Sequence, residues 1–232
     1  MSANTNATID AMFSAGAHFG LGRSRRHPSV TQYIFGTKNR TDIFDLEKTH
    51  ATLESAKTLV KALAKDGKTI LFVGGKKEAS AIVKSVAQTI NMPYVEGRWI
   101  GGTLTNFGNI RKRIERFEKL TSDREKGELA KYTKRERLLI DREIAKLDKM
   151  FSGIVSLKKM PELVFVIDPR KEQNAIAEAN HSHIPVMGVA SSDCDIKSIK
   201  YPIVGNDTAK ASIQFFMNEI AAAYQAGKKE VK

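Results

Sequence analysis

The sequence has 232 residues, with 38 Lys/Arg against 26 Asp/Glu, a formal net charge of +12 and a pI near 9.7. Apolar residues make up 41%, enough for one large packed domain; no apolar run reaches the roughly 18 residues that a bilayer span requires, and the one cysteine, Cys194, excludes an intrachain disulfide and a four-thiolate zinc site and suits a reducing compartment. A chain this basic points to a polyanionic partner, because clustered Lys and Arg release the counterions condensed on phosphates.

In chain order, the first residues are polar and hold neither an apolar signal core nor an Arg-rich transit pattern, so no targeting segment is expected. Ile9, Met12 and Phe13 have helical spacing, and Gly16 is a plausible stop. Ala17-His18-Phe19-Gly20-Leu21-Gly22 reads as a glycine-punctuated loop. Tyr33-Ile34-Phe35 and Asp42-Ile43-Phe44 flank Gly36-Thr37-Lys38-Asn39-Arg40 and predict a β-hairpin with a basic tip. Asp45 should cap a helix whose apolar stripe runs from Leu46 to Leu63, with Gly67 closing it. The near-continuous run Thr69-Ile70-Leu71-Phe72-Val73 reads as a strand buried on both faces. Gly74-Gly75 makes a turn into a helix over 76–90, and Tyr94-Val95 is a short strand.

From 105 to 150 the period changes. Ile110, Ile114, Phe117 and Leu120, then Leu138, Leu139, Ile144 and Leu147, recur every three or four positions. A polar stretch with Gly127 separates them, and Thr133 with Glu136 has capping-box spacing. Two antiparallel helices joined by a loop are expected, a projecting hairpin. Strands then resume over 163–167, 184–189 and 199–204, with a helix over 174–180 and a last helix capped by Asp207 and ending near Tyr224. Strands alternating with helices imply a doubly wound parallel α/β sheet. Residues 1–104 and 151–226 would form that single α/β domain, 105–150 an inserted helical hairpin, and 227–232 a short basic tail.

The charge is unevenly distributed. Residues 21–40 carry Arg23, Arg25, Arg26, Lys38 and Arg40 with no acid; 103–150 carry 14 Lys/Arg and 9 Asp/Glu; 160–195 carry two basic and six acidic residues. A basic side and an acidic side suit a protein that lies on RNA with one face. Many hairpin charges would simply be solvated. The root differs: Arg111, Lys112, Arg113 and Arg116 follow directly on Arg98-Trp99 and Asn106, and guanidinium, aromatic and amide groups beside glycines suit phosphate contact and stacking. Lys76 and Lys77, opening a helix after a strand, are further candidates for backbone phosphates.

Enzyme readings find little support. Gly74-Gly75-Lys76-Lys77 has the spacing of neither a P-loop nor a dinucleotide loop. His181 and His183 read as exposed turn residues and His18 as a packed one. Asp168, Asp193 and Asp195 fall where α/β sheets place ligands, but no nucleophile–base pair accompanies them. A small-molecule site at these strand ends, near Gly74, is the alternative reading, and rests on fold analogy alone.

The motifs, taken together, resemble a known family. Ala15-Gly16-Ala17-His18-Phe19-Gly20, Tyr33-Ile34-Phe35-Gly36-Thr37-Lys38-Asn39, Leu71-Phe72-Val73-Gly74, Arg98-Trp99-Ile100-Gly101-Gly102-Thr103-Leu104-Thr105-Asn106-Phe107, Pro161-Glu162-Leu163-Val164-Phe165-Val166-Ile167-Asp168, Glu178, Ile184-Pro185-Val186 and Pro202-Ile203-Val204-Gly205-Asn206-Asp207 occur in this order. The chain resembles the bacterial-type small-subunit ribosomal protein number two over nearly its whole length. The resemblance implies a flavodoxin-like (Rossmann-like) parallel sheet with an inserted α-helical coiled-coil hairpin, in the cytoplasm, on the solvent side of the small ribosomal subunit between head and body. It implies contact with small-subunit rRNA and neighbouring ribosomal proteins, and docking of the large mRNA-binding ribosomal protein number one. It implies no catalysis, cofactor, metal or small-molecule substrate, and no membrane. The sequence departs from the family pattern at Leu21, where relatives often carry a second histidine, and at Arg25 and Arg26, where they often carry aromatics; arginine exchanges stacking for charge.

Overall fold

The computed structural model describes residues 2–230, with side chains from residue 5 onward. Met1 and the last two residues of the expected tail, Val231 and Lys232, lie outside the described residues.

Helix α1 (Ser2–Ser14) ends where Gly16 takes φ +72. The segment expected to be a loop is instead strand β1 (Phe19–Gly22), which pairs antiparallel with β3 (Thr41–Phe44), Phe19 opposite Ile43. β3 pairs in turn with β2 (Ile34–Lys38), giving a three-stranded sheet in the order β1-β3-β2. Asn39 and Arg40 form the two-residue turn of the β2–β3 hairpin, both at positive φ (50° and 63°), the twist that tight hairpins demand. Asp45 caps α2 (Leu46–Lys65): its carboxylate accepts from the amides of Glu47 at 3.1 Å and Lys48 at 3.4 Å.

The second sheet contains β4 (Ile70–Val73), β5 (Tyr94–Val95), β6 (Leu163–Ile167), β7 (Val186–Ala190) and β8 (Tyr201–Val204), all parallel, in the order β5-β4-β6-β7-β8. Numbered within the sheet this is 2-1-3-4-5, the flavodoxin-like order. Every residue of β4, β6 and β7 is buried, so both faces must be covered. The two-residue period of the strand separates the cores. Ile70 and Phe72 face one built with Leu53 and Val60 of α2, Val83 of α3 (Lys77–Thr89) and Phe216 and Ile220 of α7 (Lys210–Lys229). Leu71 and Val73 face another, built with Ile176 of α6 (Gln173–His181), Trp99, Ile110 and Ile114 of α4 (Phe107–Glu125), and Leu147 and Phe151 of α5 (Lys134–Phe151).

Helices α4 and α5 lie between β5 and β6 in the chain. Their link holds Gly127 at φ +75 and one turn of 3-10 helix (Glu128–Lys131). The capping box at the start of α5 forms as expected: Glu136 N–H donates to Thr133 Oγ1 at 3.4 Å and Thr133 N–H to Glu136 Oε2 at 2.9 Å. An Arg116–Glu143 ion pair joins the two helices at 2.7 Å.

The last helix differs from expectation at both ends. Asp207 is not its cap. Asn206 Oδ1 accepts from the amides of Thr208 and Ala209, at 2.9 and 3.2 Å, while Asp207 is turned inward and 2% exposed. α7 then continues past Tyr224 to Lys229, because Gly227 lets it lie against α2: a Cβ at 227 would meet Lys61 O at 2.4 Å.

Candidate nucleic-acid interface

The loop that leads into α4 is held from below. Glu178, on α6, accepts from Trp99 Nε1 at 2.9 Å, Gly102 N at 2.8 Å and Leu104 N at 3.0 Å. Burial pushes this carboxyl up, but the hydrogen bonds from Trp99, Leu104, Gly102 and Thr105 outweigh it and hold the group below its ordinary range. Trp99 is therefore a structural anchor. Its ring is 6% exposed and belongs to the second core, which corrects the expectation that it offers a stacking platform.

α4 sorts the root cations by helical geometry. Ile110 and Ile114 are buried, so their flanking residues lie at the edges of the buried stripe. Arg111 is spent internally: Nη1 donates to Val155 O at 3.2 Å, and Glu115 and Glu118 lie at 3.4 and 3.5 Å. Arg116 is engaged by Glu143, with hydrogen bonds of 2.7 and 3.1 Å. Lys112 and Arg113 are exposed and have no ion pair or side-chain hydrogen bond among the described residues. They line a groove of about 400 Å³ with Asn106, Asn109 and Gly101, and no acid lines it. Arg98, exposed and equally free, lines a larger hollow of about 1100 Å³ with Lys149, Asp148 and the Lys84–Glu96 ion pair (2.9 Å), and the two hollows meet at Ile100 and Gly101.

The second basic segment divides in the same way. Arg23, Arg25, Lys38 and Arg40 are exposed and without ion pairs among the described residues. Arg26 is committed to Asp42, a fully buried carboxylate: Nε donates to Oδ2 at 2.7 Å, and Nη2 contacts Oδ1 and donates to Thr37 Oγ1 at 2.9 Å. The Arg26 guanidinium holds Asp42 below the usual carboxylate range, against the opposing effect of burial. Arg26 thus joins the loop to β3, and its role is corrected from an RNA-facing cation to an internal one.

Lys76 is also internal. At the carboxyl ends of the parallel strands its ammonium lies 3.0 Å from Asp168 and 3.3 Å from Asp207. Burial and the Asp168 charge push Asp207 up to about 6 in spite of Lys76. Asp168, Cys194 and Asp207 bring ligand atoms within 4.8 Å of one another, but the Lys76 ammonium already lies between the two carboxylates. Gly75 N, the amide a phosphate would seek, donates to Glu172 at 3.2 Å, and a Cβ on Gly75 would lie 2.4 Å from Gly97 O. Beside Gly75 and Asp168 the carboxyl ends of the strands are occupied by Lys76, Glu172 and Asp207, while a hollow of about 650 Å³ lies alongside at Pro169, Arg170, Asp193 and Asp195. Only Lys77 of this pair is exposed.

One surface escaped the sequence reading. Phe13, Phe19 and Phe35 are 61, 50 and 81% exposed, and the first two pack on His18 at centroid distances of 4.4 and 4.0 Å. His18 is buried as expected, its pKa lowered by that burial, with Nδ1 unpartnered. The signal was present in Ile34-Phe35: in a strand, neighbours point to opposite faces, so one of them had to face away from the core.

Comparison with known proteins agrees with this architecture. A family model described as "Ribosomal protein S2" matches residues 12–227. The chain is similar to proteins named "Small ribosomal subunit protein uS2" in three bacteria. It is 40% identical to that of Helicobacter hepaticus, over 97% of this chain and 85% of the relative. It is 41% identical to that of Wolinella succinogenes, over 95% and 82%. It is 41% identical to that of Sulfurimonas denitrificans, over 95% and 85%.

Proposed function

Because the chain belongs to the ribosomal protein S2 family, we propose that it is held in the small ribosomal subunit by direct contact with small-subunit rRNA and with neighbouring ribosomal proteins. Its role is structural, in translation, and not enzymatic. Among the described residues no helix is long and apolar enough to cross a membrane, and the cytoplasm is the compartment proposed.

One observation carries the RNA reading. Among the exposed cations that have no ion pair among the described residues, Arg98, Lys112 and Arg113 lie where the chain enters α4 and Arg23, Arg25, Lys38 and Arg40 lie around the β2–β3 hairpin, while others, such as Arg124, Arg135 and Arg142, are spread along α4 and α5. Phosphates reward free charge, because a cation already paired with a carboxylate releases no net counterion on binding. Lys77 and Asn106 complete the surface, and Arg116 can add to it by exchanging Glu143 for phosphate. α4 and α5 form a coiled-coil hairpin, inserted over 105–150 into an α/β domain made of 1–104 and 151–226, and its base grips RNA. The Phe13–Phe19–Phe35 patch is covered by a neighbouring ribosomal protein, since contiguous exposed aromatics mark protein contact; the large mRNA-binding ribosomal protein number one is one neighbour the resemblance implied.

The test is the salt dependence of binding to small-subunit rRNA. With about five phosphates neutralised, log affinity should fall against log salt with a slope of roughly −3.5 to −4.5. A salt-independent affinity would contradict the reading.

A further inference from the structure

Glycine is retained in a fold for an internal reason at most of its positions here. Gly16, Gly67, Gly102 and Gly127 have positive φ, and at Gly74, Gly75, Gly153, Gly188, Gly205 and Gly227 an added Cβ would come within 3.0 Å of a neighbouring atom. Six glycines have neither reason, and at four of them, Gly36, Gly97, Gly101 and Gly108, a Cβ would meet nothing within 4 Å. Three of the four fall between 97 and 108. Nothing inside the molecule requires bare backbone there, and the other use of glycine is to admit a partner close to the main chain.

The same stretch separates the two hollows at the arm's root. Gly97 and Gly101 line the larger with Arg98, Gly101 also lines the smaller, and the smaller holds the free cations Lys112 and Arg113 and the amides of Asn106 and Asn109. Its lining sets Lys112, Arg113 and two amides beside Ile100 and Ile110, and those two cations are unlike the charge-depleted centre of a protein–protein contact. Its volume of about 400 Å³ suits a single splayed nucleotide. A-form duplex presents a broad, shallow minor groove that cannot enter such a hollow, whereas unpaired nucleotides can be drawn out and read on their edges by amides.

We propose that the bare backbone at Gly97 and Gly101 is the floor of a path for an unpaired segment of RNA, with Arg98, Lys112 and Arg113 on its phosphates and one nucleotide in the smaller hollow beside the amides of Asn106 and Asn109, which are joined by a 2.9 Å hydrogen bond from Asn109 Nδ2 to Asn106 Oδ1. This rests on the rRNA-binding reading above and assigns that surface its ligand: a loop or bulge, not continuous duplex.

The experiment compares the full-length wild type with Gly101→Leu and Asn109→Ala, using small-subunit rRNA transcribed in vitro. Competitors are two RNA hairpins with the same stem, one carrying a three-nucleotide bulge. Since position 101 is open, Gly101→Leu should leave the melting temperature of the free protein unchanged, yet weaken rRNA binding about ten-fold, the size of one lost contact. The bulged hairpin should compete better than the paired one, and Asn109→Ala should reduce that preference. Wild-type affinity in Gly101→Leu, or equal competition by the two hairpins, overturns the proposal while leaving rRNA binding intact. If Gly101→Leu binds naked rRNA normally but is lost from assembled small subunits, the floor faces a protein and the proposal fails. Absence of rRNA binding by the wild type overturns the underlying reading instead.

Discussion

The carboxylate of Glu178 accepts a hydrogen bond from the indole of Trp99 at 2.9 Å, and with the same two oxygens it binds the amides of Gly102 and Leu104. One acid on α6 thereby fixes the loop that leads into α4. Replacing Glu178 by Ala leaves these donors without an acceptor and should cost about 2–3 kcal/mol in urea unfolding. Because the group's pKa is lowered in the fold from its ordinary 4.5, its contribution is present above that value and lost as pH falls through the folded value. The stability gap between wild type and Glu178→Gln should therefore narrow below about pH 4.5; a gap that stays constant down to pH 3 would contradict this assignment.

Asp207 should behave in the opposite sense. Its carboxyl is pushed up to about 6 from 3.8, so between those values the folded state holds a proton that the unfolded state releases. Its contribution grows as pH falls from about 6 towards 4 and is smallest above 6. Asp207→Asn removes this dependence and leaves in place that of Glu172, whose carboxyl is also pushed up by burial. Urea midpoints across pH 4–7 should show a weaker slope in the variant, and parallel profiles would refute the assignment.

Arg26→Ala tests the internal role of that residue. It strands Asp42, which is fully buried, and the loss of one partner of a buried pair costs about 3–5 kcal/mol. Arg25→Ala, one residue away and exposed, should change stability by no more than about 0.5 kcal/mol. Equal thermal melting of the two variants would place Arg26 back among the surface cations.

The division of the root cations makes a prediction about salt. Lys112→Ala combined with Arg113→Ala should reduce the salt slope of rRNA binding by roughly 1.4 to 1.8, at 0.7 to 0.9 for each phosphate. Arg111→Ala should leave the slope unchanged, because Val155 O, Glu115 and Glu118 already hold that guanidinium. Titrations between 50 and 200 mM salt would measure both.

Much of the fold was legible because it is local. Apolar runs such as Leu71-Phe72-Val73 gave the parallel strands, and Asp45 and Thr133 marked their helices by cap chemistry that acts within three residues. What failed was nonlocal. β1 is four residues with two glycines, and only its pairing with Ile43 makes it a strand. Asn206 and Asp207 are both residue types that cap helices, yet the residue before α7 is Ala209: Asn206 serves the turn ahead of the helix, and Asp207 faces Lys76, far away in the chain. For the site, charge clustering picked out two basic segments but could not tell free cations from paired ones. Arg26 and Arg111 read like their neighbours until Asp42 and Val155 are placed beside them. Trp99 looked like a stacking surface because an aromatic beside arginine is ambiguous until burial is known.

The central claim is that the arm's root lies on rRNA through Arg98, Lys112 and Arg113. A cryo-EM map of the small ribosomal subunit containing this chain tests it most directly. The account predicts rRNA density in contact with these three side chains and over the backbone at Gly101. A map in which the chain is in place, but with these residues facing solvent or only protein, would contradict it.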